Sequence, residues 1–403
     1  MKVLLALLLL CSFTQVAFAT NGDNMIGYGA ISRAMGGTGI ANPMGAESVL
    51  KNPALLSPEK KFELSFAGTY FSPDLKVKDN MVGANFTEKE SAADTFMIPS
   101  IGLSSRITDE LSFGLGAYGT SGLGADFRDT TTSDGLFRMS TSLSIMKFTP
   151  ALAYQANNFS FGAGLSIVYG ALSMAYDTNN GSGFQGAGSS DDLGLGANLG
   201  AAYQWNDFRV GVNYQSAVEM EYAHQLTDAA QDFQANSVIT SNKLTQPAEY
   251  GFGVAYNYNK AFTATFDFKV VKWGSADGYK TFGWEDQNVY ALGLAYAFDR
   301  LTLRAGFNYG KSPLGDAAIK NTVGGARQAI NALNLVGFPA IIEQHMTVGA
   351  GYKFSDIFNL DCAYVYVPEK EETTPGLNMG SGAMPFTAKH SQNAFTLAGK
   401  WVF

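Results

Sequence analysis

Along most of the chain, apolar and polar side chains alternate with a period of two, in segments of about ten residues separated by turn residues. At 392–403, Phe395, Leu397, Gly399, Trp401 and Phe403 share one face, and Ala394, Thr396, Ala398 and Lys400 the other. At 261–270, Phe262, Ala264, Phe266, Phe268 and Val270 oppose Thr263, Thr265, Asp267 and Lys269. At 301–309, Leu301, Leu303, Phe307 and Tyr309 oppose Thr302, Arg304 and Asn308. Period-two alternation marks strands with one apolar face. A slip of one residue would turn the charges toward the apolar side, so register is strongly specified.

Fourteen such segments fall at 62–72, 95–105, 110–119, 140–154, 158–176, 192–204, 207–223, 243–257, 260–272, 287–298, 300–310, 343–354, 357–367 and 392–403. Six links between them are tight: Ile107 to Glu110, Gln155 to Asn158, Trp205 to Asp207, Tyr258-Asn259-Lys260, Phe298 to Arg300, and Ser355 to Ile357. Their Asn and Asp content is turn chemistry. The other seven links are long. Alternating short and long connections belong to a closed barrel in a bacterial outer membrane, with tight periplasmic turns and long outer loops. The fold class expected is all-β: a 14-stranded antiparallel transmembrane β-barrel with an N-terminal plug, or hatch, in its lumen.

Composition sharpens this picture. After Thr20 no apolar run reaches the roughly 20 residues of a spanning helix, and only helices and closed sheets satisfy every backbone group in lipid. Forty-five glycines, 13% aromatics and only 15% charged residues fit a barrel better than a soluble globular chain. Lys2, the apolar run Val3 to Leu10, and Ala17-Phe18-Ala19 have the form of a secretory signal peptide cleaved before Thr20. An uncleaved anchor would need a longer run. A lipoprotein would need a small residue before Cys11, where Leu10 stands. The domains expected are therefore a signal peptide at 1–19, a hatch at 20–61 and a barrel at 62–403. Losing Lys2 takes the net charge from −8 to −9, which argues against nucleic acid as a partner. Cys362 is then the one remaining cysteine, so no intrachain disulfide is expected.

Trp205 and Trp401 at periplasmic strand ends and Trp273 at an outer end are expected in the aromatic girdles. The terminal Phe403 suits recognition by the barrel-insertion machinery. In 287–298, Ala291, Gly293, Ala295 and Ala297 make the inward face small and weakly polar, whereas a diffusion porin wants a polar lining. Small residues there either line a narrow path for an apolar molecule or make room for a plug. The longest outer loop, 311–342, contains a helix-like run from Ala317 to Val336, which should be covering or catching something apolar.

No enzyme constellation appears. His224, His345 and His390 show no metal-ligand spacing, no Ser-His pair with an orienting partner stands out, and no cofactor is expected. Asp191, Asp192, Glu369, Glu371 and Glu372 read as solvated loop charge, or as a site for divalent ions that bridge lipopolysaccharide. The glycine-rich stretch Gly181 to Gly188 reads as loop.

The most specific signal is the run Tyr28-Gly29-Ala30-Ile31-Ser32-Arg33-Ala34-Met35-Gly36-Gly37-Thr38-Gly39-Ile40-Ala41, followed by Asn52-Pro53-Ala54 eight residues before Phe62. It resembles the amino-terminal hatch of the FadL family, outer-membrane transporters of long-chain fatty acids and other hydrophobic compounds. Ser72-Pro73, Gln246-Pro247-Ala248-Glu249, Trp273 and Ser312-Pro313 extend the resemblance along the mature chain.

The resemblance implies a monomeric barrel in outer-membrane lipid and lipopolysaccharide. Ligand would be caught at the outer loops, passed to an interior pocket, and released sideways beside a kink in strand three. Gly119, Ser121, Gly122 and Gly124 are the kink candidates, with an ordinary glycine-rich strand-to-loop exit as the alternative reading of the composition. Met25, Ile26 and Tyr28 are the ligand-binding candidates. Asn52, Pro53 and Ala54, with Arg33, Gly36 and Gly37, would gate the path or form a rigid corner. Arg33 is expected to pair with Asp267 or Asp361. The stretches matching the family's cationic headgroup residues, Tyr169 to Tyr176 and Phe282 to Asp286, hold no Arg or Lys, with Lys280 merely near. The substrate class is thus open between fatty acids and uncharged aromatic or aliphatic hydrocarbons, with a general porin, a structural barrel and a membrane hydrolase as rivals.

Overall fold

The fourteen alternating segments form fourteen antiparallel strands whose last member pairs with the first. A computed structural model describes residues 20–57, 61–79, 88–131, 135–178, 183–259, 261–320, 325–378 and 383–403. The expected signal peptide, Lys260 of one turn, the first residues of the stretch from Gly181, and 321–324 of the expected loop helix lie outside the described residues. The strands are β1 (Phe62–Asp79), β2 (Phe96–Arg106), β3 (Leu111–Asp126), β4 (Ser140–Ala156), β5 (Phe159–Tyr176), β6 (Gln185–Trp205) and β7 (Phe208–Gln215). They continue as β8 (Glu249–Tyr258), β9 (Phe262–Val271), β10 (Gln287–Phe298), β11 (Leu301–Gly310), β12 (Gln344–Lys353), β13 (Phe358–Asn378) and β14 (Ala383–Val402). Closure runs from Val402↔Glu63 to Phe386↔Asp79. It is reinforced by Phe62 N donating to Phe403 O at 3.1 Å and Phe403 N to Phe62 O at 2.8 Å.

Alternation places the side chains as the sequence requires. On β10, Tyr290, Leu292, Leu294, Tyr296 and Phe298 are exposed while Val289 and Ala291 are buried. On β14, Phe395 and Leu397 face out while Ala394, Thr396 and Ala398 are buried. The exposed rows of successive strands make a continuous apolar belt, the surface a bilayer demands.

Several boundaries differ from expectation. β7 stops at Gln215 rather than 223, and β8 begins at Glu249 rather than 243. Val218, Met220, Tyr222 and Leu244 are buried in the outer apolar cluster, so the intervening chain folds inward and keeps only isolated bridges such as Val218↔Gln246. Asp191 and Asp192 lie within β6, and Glu369, Glu371 and Glu372 within β13, not in loops. The ladders simply continue past the apolar belt, as in Glu371↔Lys389. Trp205 is 63% exposed at a tight turn, as a girdle residue should be. Trp273 is 0% exposed and overturns its girdle assignment. It packs against Tyr279 and Trp284, with ring centroids 4.7 and 5.1 Å away.

The outer loops carry short helices: α3 (Gln225–Asp232), α4 (Asp316–Ile319), and α5 (Gly325–Ala332) followed by a wider turn over Leu333–Gly337. Residues 20–57 contain two more, α1 (Gly29–Ala34) and α2 (Ser48–Lys51). This amino-terminal segment is buried almost throughout.

Candidate functional site

The lumen-facing positions of the strands are more polar than the sequence suggested, and many of them bond the amino-terminal segment. That segment has little regular structure, so its backbone groups need outside partners. Asp267 on β9 accepts from Gly39 N and Ile40 N at 2.8 and 3.0 Å. Asn308 on β11 donates to Gly36 O at 3.0 Å, and Gly36 N donates to Thr347 on β12. Asn198 on β6 donates to Val49 O and Leu50 O, and Asn213 on β7 to Lys51 O. Small wall residues give the space: a Cβ at Gly293 would stand 2.7 Å from Met35 Cβ. At Gly293 the small lumen face makes room for the chain itself, whereas Ala295 and Ala297 line open space beside the segment.

Gly36 and Gly37 have φ of +70° and +83°, where a side chain is strained. Gly36 also abuts the β11 backbone, with no room for a Cβ beside Phe307 O. Asn52 Nδ2 donates to Ile40 O at 2.7 Å and Val212 O at 3.3 Å, and its Oδ1 accepts from Ala54 N. Asn52, Pro53 and Ala54 therefore form a corner that ties two parts of the segment to β7. Arg33 does not pair with Asp267 or Asp361. Asp267 serves the backbone of Gly39 and Ile40, and Asp361 pairs with Arg304 at 2.8 Å. Arg33 is 4% exposed and instead donates to Gly27 O, Thr69, Thr396 and Met25 Sδ. Strands β1 and β14 supply the threonines nearer to α1.

Strand three carries the irregularity. The β2–β3 ladder runs from Arg106↔Ser112 to Ser100↔Tyr118 and stops there. On its other edge, β3 skips register against β4 between Gly119 and Ser121, leaving Thr120 as an extra residue, buried with its hydroxyl unbonded. A bulge of this kind bends the strand. The edge that β3 withdraws from β2 is taken by a short amino-terminal hairpin, Thr20–Asn21 with Asn24–Met25. Asn24 pairs with Ser121, Ser121 Oγ donates to Asn24 Oδ1, and Gly122 N donates to Asp23 O at 3.0 Å. Gly119, Ser121, Gly122 and Gly124 thus lie at or above the bulge inside β3, not in an exit from it. Met25 and Ile26 pack with Phe96 and Ile98 of β2 across the same place, while Tyr28 packs deeper with Tyr118 and Leu50.

A polar cluster that the sequence reading did not single out holds the hairpin. Tyr279 donates to Asp23, Asn24 Nδ2 donates to Glu249 Oε1 at 2.7 Å, and Lys269 pairs with Glu249 Oε2 at 2.9 Å. Lys147 on β4 donates to Gln215 nearby. Burial pushes the Asp23 carboxyl up to about 7, against the lowering effects of Tyr279, Gln246 and Lys147. Inward alternation of Lys147 and Lys269 was the available signal. Asp23 and Tyr279 lie outside any periodic segment, so nothing local marked them.

On the outer side, α3 and α5 close over an apolar cleft lined by Phe137, Met139, Met174, Leu226, Phe233, Ile239 and Leu333 among others. Its free space is about 20 Å³, little more than one water needs, so an occupant must part the helices. Ile330, Leu335 and Val336 are buried in the surrounding cluster. The apolar loop run therefore covers the lumen. Asn334 anchors it, accepting from Trp284 Nε1 at 3.0 Å and donating to Phe282 O and Ala318 O. Among the described residues no group of three His, Cys, Asp or Glu is placed to hold a metal ion.

A closed fourteen-strand barrel with an outer apolar belt, a filled lumen and a greasy outer cleft defines a transport protein of the bacterial outer membrane. The profile described as "Outer membrane protein transport protein (OMPP1/FadL/TodX)" matches residues 9–403, and the chain belongs to that family. The long-chain fatty acid transport protein of Escherichia coli (strain K12) is 24% identical over 350 residues, which cover 72% of this chain and 78% of that one. Among solved structures, a Pseudomonas aeruginosa FadL homologue superposes with a TM-score of 0.70 at 18% identity, covering 95% of this chain and 100% of the other. The Pseudomonas putida toluene transporter TodX gives 0.67 at 19% identity, covering 95% and 100%.

Proposed function

We propose that the protein imports hydrophobic small molecules through a hatch-controlled opening in its wall, without chemistry and as a monomer. Residues 20–61 act as the hatch and 62–403 as the barrel, after removal of 1–19. The outer cleft captures ligand, Met25, Ile26 and Tyr28 line the inner path, and release occurs sideways into lipid above Tyr118. An apolar ligand gains nothing from a watery channel, so a lateral exit avoids a desolvation problem. One observation carries this reading: the β3 edge that leaves β2 is paired with the hatch hairpin at Asn24↔Ser121. Moving the hatch and opening the wall are then one event. Gly36, Gly37, Arg33 and the Asn52-Pro53-Ala54 corner hold the rest of the hatch in place.

The ligand is either a long-chain fatty acid, as the name of the Escherichia coli relative suggests, or an uncharged hydrocarbon, as that of TodX suggests. The wholly apolar lining of the outer cleft suits both. Lipopolysaccharide and the insertion machinery, through Phe403, are the remaining partners proposed. The test is uptake of labelled oleate and labelled toluene by cells with and without the protein. Loss of uptake on deletion supports import. Unchanged uptake together with free passage of small polar solutes would make the protein a porin.

A further inference from the structure

β6 rises well past its neighbour on one side. Its ladder with β5 continues up to Gln185↔Tyr176, whereas its ladder with β7 ends at Asn198↔Gln215. Among the described residues no strand takes the β6 edge above Asn198. The apolar belt nevertheless runs on up this bare edge, with Leu195 64% and Leu193 63% exposed. Just below, Leu199, Val212, Tyr214, Tyr250, Phe252 and Phe268 border a groove of about 540 Å³, and its Leu199↔Tyr214 end is one pair short of the last rung. We propose that this gap is a side port through which an uncharged apolar molecule already dissolved in the outer leaflet enters the outer apolar cluster. The inference rests on the import reading above and adds to it an entrance separate from the β3 bulge.

What closes the gap is a flap rather than a strand of the wall. Residues 216–222 run along the inner side of β6 and are backed by 242–246. Val218 N donates to Gln246 O, Gln246 N to Val218 O, Leu244 N to Met220 O and Tyr222 N to Asn242 O, at 2.9 to 3.0 Å. To β6 itself the flap is tied at its base, where Ser216 N donates to Ala197 O and Ala197 N to Ser216 Oγ, both 2.9 Å. A further tie is Asp192 Oδ2, which accepts from Glu221 N at 2.7 Å. Between these ties β6 turns glycine inward. A Cβ at Gly196 would stand 2.6 Å from Val218 Cγ2, and one at Gly194 2.8 Å from Met220 Sδ. The barrier between the exposed leucines and the flap is thus one backbone thick. Val218, Met220 and Tyr222 belong to the same buried cluster as Leu226 and Met174, which line the outer cleft, so a molecule that displaces the flap has reached that cleft.

The charges beside the gap decide what can pass. Asp191 and Asp192 follow Leu193 up the β6 edge, and Glu221 is bonded there through its backbone. Glu219 on the flap is 71% exposed and pairs with Lys243 at 2.9 Å. A carboxylate would meet like charges at this rim, and their repulsion grows as water is excluded. A neutral hydrocarbon moves from lipid to an apolar interior without returning to water, so nothing opposes its transfer on solvation grounds.

A reversible staple tests the port. Gly194→Cys with Val218→Cys joins β6 to the flap where the two abut, within the reach of a disulfide. Ala197→Cys with Ser216→Cys, at the base, serves if the first pair does not fold. Both are made with Cys362→Ser, Trp205→Phe and Trp401→Phe, so that Trp273 and Trp284 of the buried cluster are the remaining tryptophans. In phospholipid vesicles, 1-bromododecane dissolved in the bilayer is expected to quench their fluorescence while the cysteines are reduced. Oxidation should remove most of that quenching, and reduction should restore it. Quenching in the folded, stapled protein that is indifferent to oxidation, whether strong or absent, overturns the port. Uptake of labelled toluene by cells with and without the protein is read in parallel. Staple-dependent quenching with no effect of deletion on uptake would sink import alone, whereas deletion-sensitive uptake with staple-independent quenching would sink this port alone.

Discussion

Asn52 shows how much one side chain can organise in a segment without ladders. Its amide serves carbonyls from the hatch and from β7 at once, and its oxygen fixes the turn into Ala54. Replacing it with Ala leaves Ile40 O and Val212 O short of a donor in a buried site, at a cost of about 1–3 kcal/mol. Hydrogen exchange should then quicken at residues 40–54 while the wall strands stay protected. Asp23 works differently, because its cost depends on pH. Its carboxyl is pushed from the usual 3.8 to about 7 in the docked hairpin. A docked site that binds a proton more tightly than the free one is most stable at low pH. Docking is therefore strongest below about pH 4, weakens as pH rises toward about 7, and is flat above that. Exchange at residues 22–25, corrected for its intrinsic pH dependence, should be faster at about pH 8 than at about pH 5. Asp23→Asn should remove the difference. Arg33 teaches the opposite lesson. Charge suggested a carboxylate partner, but two wall threonines and Gly27 O lay closer to the guanidinium.

At the scale of elements, β3 is where a regular pattern stops being regular. Below Tyr118 it has a neighbour on each side, and above it the β2 side is occupied by the hatch hairpin. Deleting Thr120 removes the extra residue and should restore an unbroken register with β4. The variant is expected to insert normally and to lose most ligand uptake; wild-type uptake rates from it would refute lateral release. The loop helices are a second case. The apolar run from Ala317 to Val336 was legible as a helix seeking cover, and it is realised in pieces, as α4, α5 and the wider turn. Its cover, the clustered Met139, Met174 and Leu226, comes from strands and loops far earlier in the chain. No local pattern announces such a partner.

The whole molecule is a wall built around its own amino terminus. Asn198, Asn213, Asp267, Asn308 and Thr347 point inward and bond the hatch. The wall itself closes through β1 and β14 without the hatch. Removing residues 20–57 should therefore leave a barrel with a polar, water-filled lumen. Planar bilayers carrying it should show steady conductance, where the intact protein shows little. Equal conductance from both would mean that the segment does not seal the lumen.

Fourteen strands, their lipid and lumen faces and their tight turns were set by the sequence alone, because a period of two against lipid leaves each segment one tolerable register. The hatch glycines and the Asn52-Pro53-Ala54 corner were also visible, since positive φ and a proline turn leave residue-type marks. Only the tertiary structure decided the partner of Arg33, the burial of Trp273, the polar hold on Asp23 and the seat of the hatch at the β3 bulge. Each of these joins groups distant in the chain, and which of several chemically equal partners is taken depends on distance across the closed barrel.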